Sequence, residues 1–306
     1  WLQPRMKRIL IRCFYNLLFI GTAWIAEGGQ TTLKIDGDQI LLNSEPCKVL
    51  GLRCSNALIG DRTTNDLIVG LDLYRSYGVN TVSVFIMGSR FGDVKGYLPD
   101  GSLNPVYRDR LERILSATDK RGMICVVGCL YWSTSKAKED LSDWTQADAN
   151  NALANTARWL GEKGFRHVIL DPDNEGMAVR ANQWKVEPLI NAAKMANPDL
   201  VVANNTRQDP PNEDLNMHFA KPESGKPWFD SEATPKNAPG NYWGRFSKES
   251  HQATDTFYNY SRIGRYTVEM KQDQLKQTKE GIEQFNGHIL ASTWLQCGPE
   301  EKVNGP

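Results

Sequence analysis

The chain has 306 residues, of which 40% are hydrophobic. A chain of this length and composition can bury a substantial core, which excludes a disordered protein and suits a single large domain. Lysine plus arginine and aspartate plus glutamate both number 36, so the overall charge gives no reason to expect nucleic acid or an anionic membrane as a partner.

The N-terminal 26 residues contain the pattern of an export signal. A basic segment at 7–12 is followed by a mostly apolar stretch at 13–20 and then by small residues up to Ala26. This order is typical of a secretory signal peptide, and the apolar stretch is shorter than the roughly 20 residues that a membrane anchor needs. We therefore expect a secreted or periplasmic protein with no membrane association after signal cleavage, and an uncleaved anchor is the alternative.

Residues 27–306 are expected to form one domain that begins with a β-hairpin. Two short runs at 32–40 and 41–49 surround the sequence Asp36-Gly37-Asp38, which favours a tight turn. The first strand of the main fold is predicted at 49–54. A helix at 63–77 follows, with Thr63 or Thr64 as its N-cap.

Strand-like runs then alternate with segments of helical periodicity to the end of the chain. Alternation of this kind predicts parallel pairing, and eight strands suit a closed (β/α)8 TIM barrel, with a doubly wound open sheet as the alternative. Almost no sequence follows the eighth strand, which a truncated C-terminus would explain. The later strands are predicted at 79–87, 123–130, 166–170, 200–203, 215–219, 227–231 and 288–294, and the later helices at 106–120, 148–162, 184–196 and 266–285, with 206–214 too short and too rich in proline for a helix.

Carboxylate side chains follow two strands at the end where such barrels carry their active sites. Asn174 and Glu175 come just after the predicted fourth strand, and Glu232 ends the seventh. Glycosidic cleavage needs one carboxylic acid to protonate the leaving oxygen, and a second carboxylate to attack the anomeric carbon or to activate water. Glu175 and Glu232 fit these roles, so we expect neither a cofactor nor a metal. No nucleotide-binding, serine-hydrolase or zinc-protease motif competes with this interpretation.

The order of these features resembles clan A glycoside hydrolases, most of all the family 5 cellulase-like group. The shared features are a hairpin, GLR in the first strand, NE after the fourth, a histidine in the sixth, a glutamate in the seventh and a tryptophan in the eighth, over residues 31–297. The resemblance implies a retaining double displacement, with Glu175 as acid/base and Glu232 as nucleophile. It places Gly176 where the family usually has proline.

Further residues are assigned to substrate binding by the same resemblance. It implies that Asn174 bonds the sugar 2-hydroxyl, that His218 lies near the nucleophile, and that Trp294 forms the floor under the scissile sugar. The family usually carries an arginine in the second strand, where this chain has Ser83, so Arg53 in the first strand is the candidate guanidinium.

Aromatic residues in the predicted loops are candidate platforms for sugar rings, which stack well on such side chains. Tyr131 and Trp132 follow the third strand, and Trp243 follows the seventh. Aromatic loop residues also serve as plain packing, and that alternative stays open for each of them.

Several simpler roles and functions stay open from the sequence. His218 is also compatible with a hydrogen-bonded core histidine, and Asp171 and Asp173 with turn formation or calcium ligation. A barrel that binds carbohydrate without turnover, and an inverting hydrolase, are the alternative functions. The expected partner is a β-linked polysaccharide or oligosaccharide, with cellulose, mannan and β-glucan all open, and the protein is expected to be a monomer. The five cysteines after the signal have no zinc-site spacing and no dense disulfide pattern, so at most one or two disulfides are expected and buried thiols are favoured.

Overall fold

A computed structural model of the chain describes four segments, residues 30–87, 94–132, 136–233 and 268–290. The predicted signal peptide, Trp243 and Trp294 lie outside these segments. No helix within them is long and apolar enough to cross a membrane.

The described chain begins with a small antiparallel sheet of three strands in sequential order. The predicted turn lies between the first two strands, where Gly37 adopts a φ of 57° that glycine accepts without steric cost. The predicted hairpin is therefore extended by a third strand. The strands are β1 (Leu33–Asp36), β2 (Gln39–Leu42) and β3 (Glu45–Cys47).

Eight parallel strands close into a barrel, as predicted. Each strand pairs with the next along the chain, and the last pairs with the first, so the open-sheet alternative is wrong. The barrel strands are β4 (Val49–Arg53), β5 (Thr81–Phe85), β6 (Ile124–Leu130), β7 (Val168–Asp173), β8 (Val201–Asn204), β9 (Leu215–Met217), β10 (Trp228–Ala233) and β11 (Gly287–Leu290).

Helices cover most of the barrel, but the connections from β8 to β9 and from β9 to β10 contain none. The first of these absences was predicted from the short, proline-rich segment at 206–214. The short helix α4, just after β7, was not predicted. The helices are α1 (Asp61–Ser76), α2 (Pro105–Asp119), α3 (Gln146–Glu162), α4 (Met177–Asn182), α5 (Val186–Ala196) and α6 (Val268–Gln284), with 3₁₀ turns at Lys136–Leu141 and Asn174–Gly176.

The predicted N-cap of the first helix is wrong. Helix α1 begins after Gly60, and Thr63 lies within its first turn, where its hydroxyl accepts a hydrogen bond from the Gly60 backbone N–H at 3.1 Å. Asp61 and Arg62 occupy the first two helical positions and are exposed. The helix therefore starts ahead of its first buried residue, and a pattern based on apolar periodicity misses that part.

The core has an outer and an inner layer. The outer layer lies between the strands and the helices, whereas the inner layer fills the barrel with alternate strand residues such as Ile124, Val126 and Phe229. Leu33 and Ile40 of the small sheet belong to the inner layer. The small sheet therefore closes the N-terminal end of the barrel, which leaves the C-terminal end for a binding site.

Three of the four described cysteines are buried, and all four are free thiols, as expected from their spacing. Cys54, Cys125 and Cys129 have no exposed surface. Burial raises the pKa of each of these thiols, so they are inert packing residues.

His167 is fully buried beside the start of β7. Its Nε2 atom lies 3.0 Å from the Thr118 hydroxyl, and its Nδ1 atom lies 3.8 Å from a carboxylate oxygen of Asp119. Burial lowers the pKa of His167 to about 4, although Asp119 opposes this shift. The unfolded chain, with an ordinary histidine, therefore binds this proton more tightly than the folded protein does.

We expect His167 to make the protein less stable as the pH falls. The free energy of unfolding should decrease through the window from pH 6.5 to pH 4, by about 3 kcal/mol from this residue alone. Urea denaturation of the wild type and of His167→Gln, at several pH values, measures the difference in slope. Parallel pH dependences for the two proteins would contradict the prediction.

Candidate active site

Two carboxylates and a histidine converge at the C-terminal end of the barrel. Glu175 follows β7, His218 follows β9, and Glu232 lies near the end of β10. One carboxylate oxygen of each glutamate and one ring nitrogen of His218 all lie within 4.8 Å of one another. The structure thus brings together three residues that the sequence assigned to one site.

The turn that presents Glu175 is fixed by a buried aspartate. Glu175 and Gly176 both have positive φ values, 54° and 63°, and such a conformation is uncommon for a residue with a side chain. The Asp173 carboxylate accepts hydrogen bonds from the backbone N–H groups of Ala178 and Val179 at 3.0 and 2.8 Å. Burial raises the pKa of Asp173 to about 8. Asp173 therefore has the turn-forming role that the sequence suggested.

Arg53 connects the walls of the site. Arg53 is 1% exposed, and its guanidinium lies 3.3 Å from a carboxylate oxygen of Glu232. Its Nη2 atom donates to the Asn174 side-chain oxygen at 3.2 Å and to the Tyr131 hydroxyl at 3.3 Å. The guanidinium carbon also lies 4.4 Å from the centre of the Phe85 ring. The guanidinium therefore comes from the first barrel strand, as predicted.

The charge of Arg53 is secured by its partners. Burial alone would lower the pKa of Arg53, but Glu232 and Tyr131 raise it well above the ordinary value. Burial raises the pKa of Glu232 to about 8, against the opposing effect of Arg53 and with a further upward contribution from Glu175. The pair of glutamates therefore retains a proton near neutral pH, as expected of two carboxyl groups that share one site.

His218 is held by an aspartate that the sequence did not single out. Its Nδ1 atom lies 2.7 Å from a carboxylate oxygen of Asp230, and the same oxygen accepts the backbone N–H of Glu232 at 3.0 Å. Burial opposes the charge on His218, but Asp230 raises its pKa overall. Asp230 precedes Glu232 by two residues and so shares its side of the strand. A polar residue at that spacing was the signal that could have revealed it.

Asp171 faces the barrel interior and does not form a turn. It is 1% exposed, and one carboxylate oxygen accepts a hydrogen bond from the side-chain amide of Asn205 at 2.9 Å. Burial raises its pKa to about 6. The turn role considered for Asp171 is therefore wrong, because the residue lies two positions before the end of β7 and its side chain bonds to Asn205 instead of to the following turn.

Other polar atoms around Arg53 are buried and have no hydrogen-bond partner among the described residues. They include the side-chain nitrogen of Asn174 and the hydroxyl of Ser83. Burial of an unpaired donor is costly unless a ligand or water meets it. The Asn174 amide, fixed through its oxygen by Arg53, is therefore ready to donate to a bound hydroxyl.

The predicted aromatic platforms differ in position. Tyr131 is 5% exposed, and its hydroxyl accepts a hydrogen bond from Arg53. The centre of its ring lies 5.2 Å from that of Phe85. Trp132 is half-buried and meets Trp184 edge to face, with ring centres 5.8 Å apart. Trp132 thus has a partly open ring at this edge of the barrel, whereas Tyr131 forms part of the wall.

The cluster of Glu175, His218 and Glu232 is close enough to share a cation. Arg53 already places a fixed positive charge 3.3 Å from Glu232, and this charge repels a metal ion at the same oxygen. The charge of Arg53 therefore disfavours a metal ion at Glu232.

Comparison with known proteins identifies the fold. No family model matches the sequence, and no curated protein matches it. A family 5 mannosidase from Rhizomucor miehei is similar in structure, with a TM-score of 0.54 at 12% identity over 86% of both chains. A β-glucanase from Saccharophagus degradans, in complex with cellotetraose, has a TM-score of 0.52 at 10% identity over 89% of this chain and 90% of that one.

A third structure marks a difference in length. A family 5 glycoside hydrolase from Bacteroides vulgatus has a TM-score of 0.54 at 12% identity and covers 86% of this chain, but the chain spans only 62% of that protein. The chain therefore has the barrel fold of family 5 glycoside hydrolases, which agrees with the resemblance seen in the sequence.

We expect Arg53 to control the protonation of Glu232. Replacement Arg53→Met removes the cation that lowers the pKa of Glu232, so this pKa should rise by about one unit or more. Arg53→Lys keeps the charge and should show a smaller rise. Carbon-13 NMR titration of labelled glutamate side chains measures the shift, with circular dichroism to verify folding. Unchanged titration in a folded Arg53→Met protein would refute this role.

Proposed function

We propose that the protein is a secreted, retaining glycoside hydrolase that cleaves β-glycosidic bonds in a polysaccharide or oligosaccharide. The observation that carries this proposal is the approach of the Glu175 and Glu232 carboxylate oxygens to within 4.8 Å. Retaining enzymes hold their two carboxyl groups about 5 to 5.5 Å apart, whereas inverting enzymes leave roughly 6.5 to 9.5 Å for a water molecule. The short separation favours retention over the inverting alternative.

In the first step, Glu232 acts as the nucleophile. Its carboxylate oxygen forms a bond to the anomeric carbon while the glycosidic C–O bond breaks, and Glu175 gives its proton to the leaving oxygen. Arg53, 3.3 Å from Glu232, favours the ionised form that attack requires. The proton that the two carboxyl groups share near neutral pH is the one that Glu175 transfers, so this step needs no cofactor.

In the second step, the roles of the two carboxyl groups change. Glu175, now ionised, removes a proton from water, and the water oxygen attacks the anomeric carbon. The bond to Glu232 breaks, and the sugar leaves with its original configuration. The Glu175 carboxyl ends the cycle protonated, so acid and base are regenerated in one turnover.

The surrounding residues position the sugar and the nucleophile. Asn174 presents an unpaired buried amide nitrogen for the 2-hydroxyl, where a bond that strengthens in the transition state contributes to the rate. His218 and Asp230 hold Glu232 through its backbone N–H and through charge. Trp132 offers a ring face for an adjacent sugar. Trp243 and Trp294 remain proposed platforms from the sequence pattern.

The proposed export would place the protein with a polymer outside the cytoplasm. The proposal of export rests on the basic segment at 7–12 and the apolar stretch at 13–20. Expression of the full chain with its own N-terminus, followed by mass spectrometry of the extracellular protein, tests this part. An intact N-terminus on protein retained inside the cell would overturn it.

The catalytic pair is tested on a panel of cellulose, mannan and mixed-linkage β-glucan. The wild type should release reducing sugar from at least one polymer, and Glu175→Gln should lower kcat by about 10²- to 10⁴-fold because the general acid is lost. Glu232→Gln should abolish turnover because no covalent intermediate forms. Exposed Glu139→Gln, outside the site, serves as the matched control.

Two results would count against this assignment. Turnover that survives both substitutions would remove the pair from the mechanism. Wild-type protein that binds glycans without product release would favour the carbohydrate-binding alternative.

The stereochemistry of the product should be retention. Proton NMR at the start of the reaction should show the β-anomer appearing before mutarotation produces the α-anomer. Initial appearance of the α-anomer would mean that water attacks directly and that Glu232 acts as a base.

A further inference from the structure

The guanidinium groups of two arginines lie over one aromatic ring beside the catalytic cluster. Phe219 follows His218 directly, and the centres of their rings are 4.9 Å apart. The guanidinium carbon of Arg207 lies 4.9 Å from the centre of the Phe219 ring, and that of Arg180 lies 5.6 Å from it. The Phe219 ring thus contacts His218 as well as the two positively charged groups.

The residues come from three neighbouring connections at the C-terminal end of the barrel. Arg180 belongs to α4, after β7, and its Nη1 atom donates a hydrogen bond to the backbone oxygen of Glu175. Arg207 follows β8, and Phe219 follows β9. The positive pair therefore borders the same opening as the catalytic carboxylates, on the side of Glu175 and His218.

Neither guanidinium has a carboxylate partner in the described part of the chain. Close arginines elsewhere do share one, since Arg110 and Arg113 both contact Asp61 at 3.3 and 2.9 Å. Arg180 affects the charge of the buried Asp173, whose carboxylate is already occupied by two backbone N–H groups. Two neighbouring cations repel each other, so an anion that reaches them from solvent would stabilise the pair.

We propose that Arg180 and Arg207 form a subsite for an anionic group on the substrate, the carboxylate of a uronic acid or a sulfate ester. This inference rests on the proposed glycosidase activity and narrows its substrate to an acidic polysaccharide. Guanidinium groups suit the purpose because their planar donors match the oxygens of carboxylate and sulfate. Both side chains are exposed, so a polymer reaches them without rearrangement of the core.

The test compares acidic polymers with neutral versions of the same chains. A uronate-rich polysaccharide is paired with its carboxyl-reduced form, and a sulfated one with its desulfated form, so the two arms identify the anion. For one pair, wild-type kcat/KM should be about tenfold or more higher on the acidic polymer, a factor worth about 1.4 kcal/mol. Arg207→Gln should remove most of this preference, and Arg207→Lys should retain part of it.

Controls separate the subsite from general effects on charge and catalysis. Arg75→Gln removes an exposed arginine from the far end of α1 and should leave the preference unchanged. Arg180→Gln should lower the preference and also lower kcat on all polymers, because its bond to the Glu175 backbone is lost. Equal kcat/KM on acidic and neutral polymers, or a preference unaffected by Arg207→Gln, would overturn the subsite and leave the glycosidase assignment standing.

A binding measurement covers the case in which no polymer is cleaved. Electrophoresis through gels that contain each polymer reports affinity without turnover, and the Glu232→Gln protein serves as a non-hydrolysing form. Retardation by an acidic polymer that disappears with Arg207→Gln would support the subsite even if the hydrolase proposal fails. Retardation that is equal in neutral gels would contradict it.

Discussion

The buried ion pair between Arg53 and Glu232 is the interaction on which the site depends. Removing two charges from water costs several kcal/mol for each ion, and this cost is recovered only when geometry and further hydrogen bonds are good. Arg53 meets the condition through Asn174, Tyr131 and the Phe85 ring. One guanidinium therefore connects side chains from the first, second, third, fourth and seventh barrel strands. Loss of any one partner leaves a buried charge less well compensated.

The barrel can bury this ion pair and still supply it with hydrogen-bond partners because its two ends have different roles. The inner apolar layer and the small sheet that closes the N-terminal end supply burial, whereas the C-terminal strand ends supply polar side chains. Asp171, Asp173 and Glu232 are buried near that end, and Asp230 is half-buried beside them. Burial raises the pKa of Asp171, Asp173 and Glu232, whereas for Asp230 the effect of burial is outweighed by His218, which lowers the pKa.

Much of the architecture could be predicted from the sequence. The barrel strands are buried on both faces, so each one appears in the sequence as a short, nearly continuous apolar run. All eight strands were found, Glu175 and Glu232 were placed in one site from their positions at strand ends, and Arg53 was added to it through the family resemblance. The start of α1 was missed because its first residues are exposed, and α4 was missed because six residues carry too little periodicity. Asp230 escaped notice because its one signal in the sequence was its spacing of two residues from Glu232, whereas its contacts with His218 and the Glu232 backbone arise only in the fold.

The two connections without helices, from β8 to β9 and from β9 to β10, have a consequence for how stability is distributed. Helix packing supplies much of the buried apolar area in a barrel of this kind, so strands covered by loops open at lower free energy than their neighbours. His218, Phe219 and Arg207 all lie in these two connections. This stretch of barrel wall lacks helices and also carries residues that border the cleft, so a ligand bound in the cleft would stabilise it.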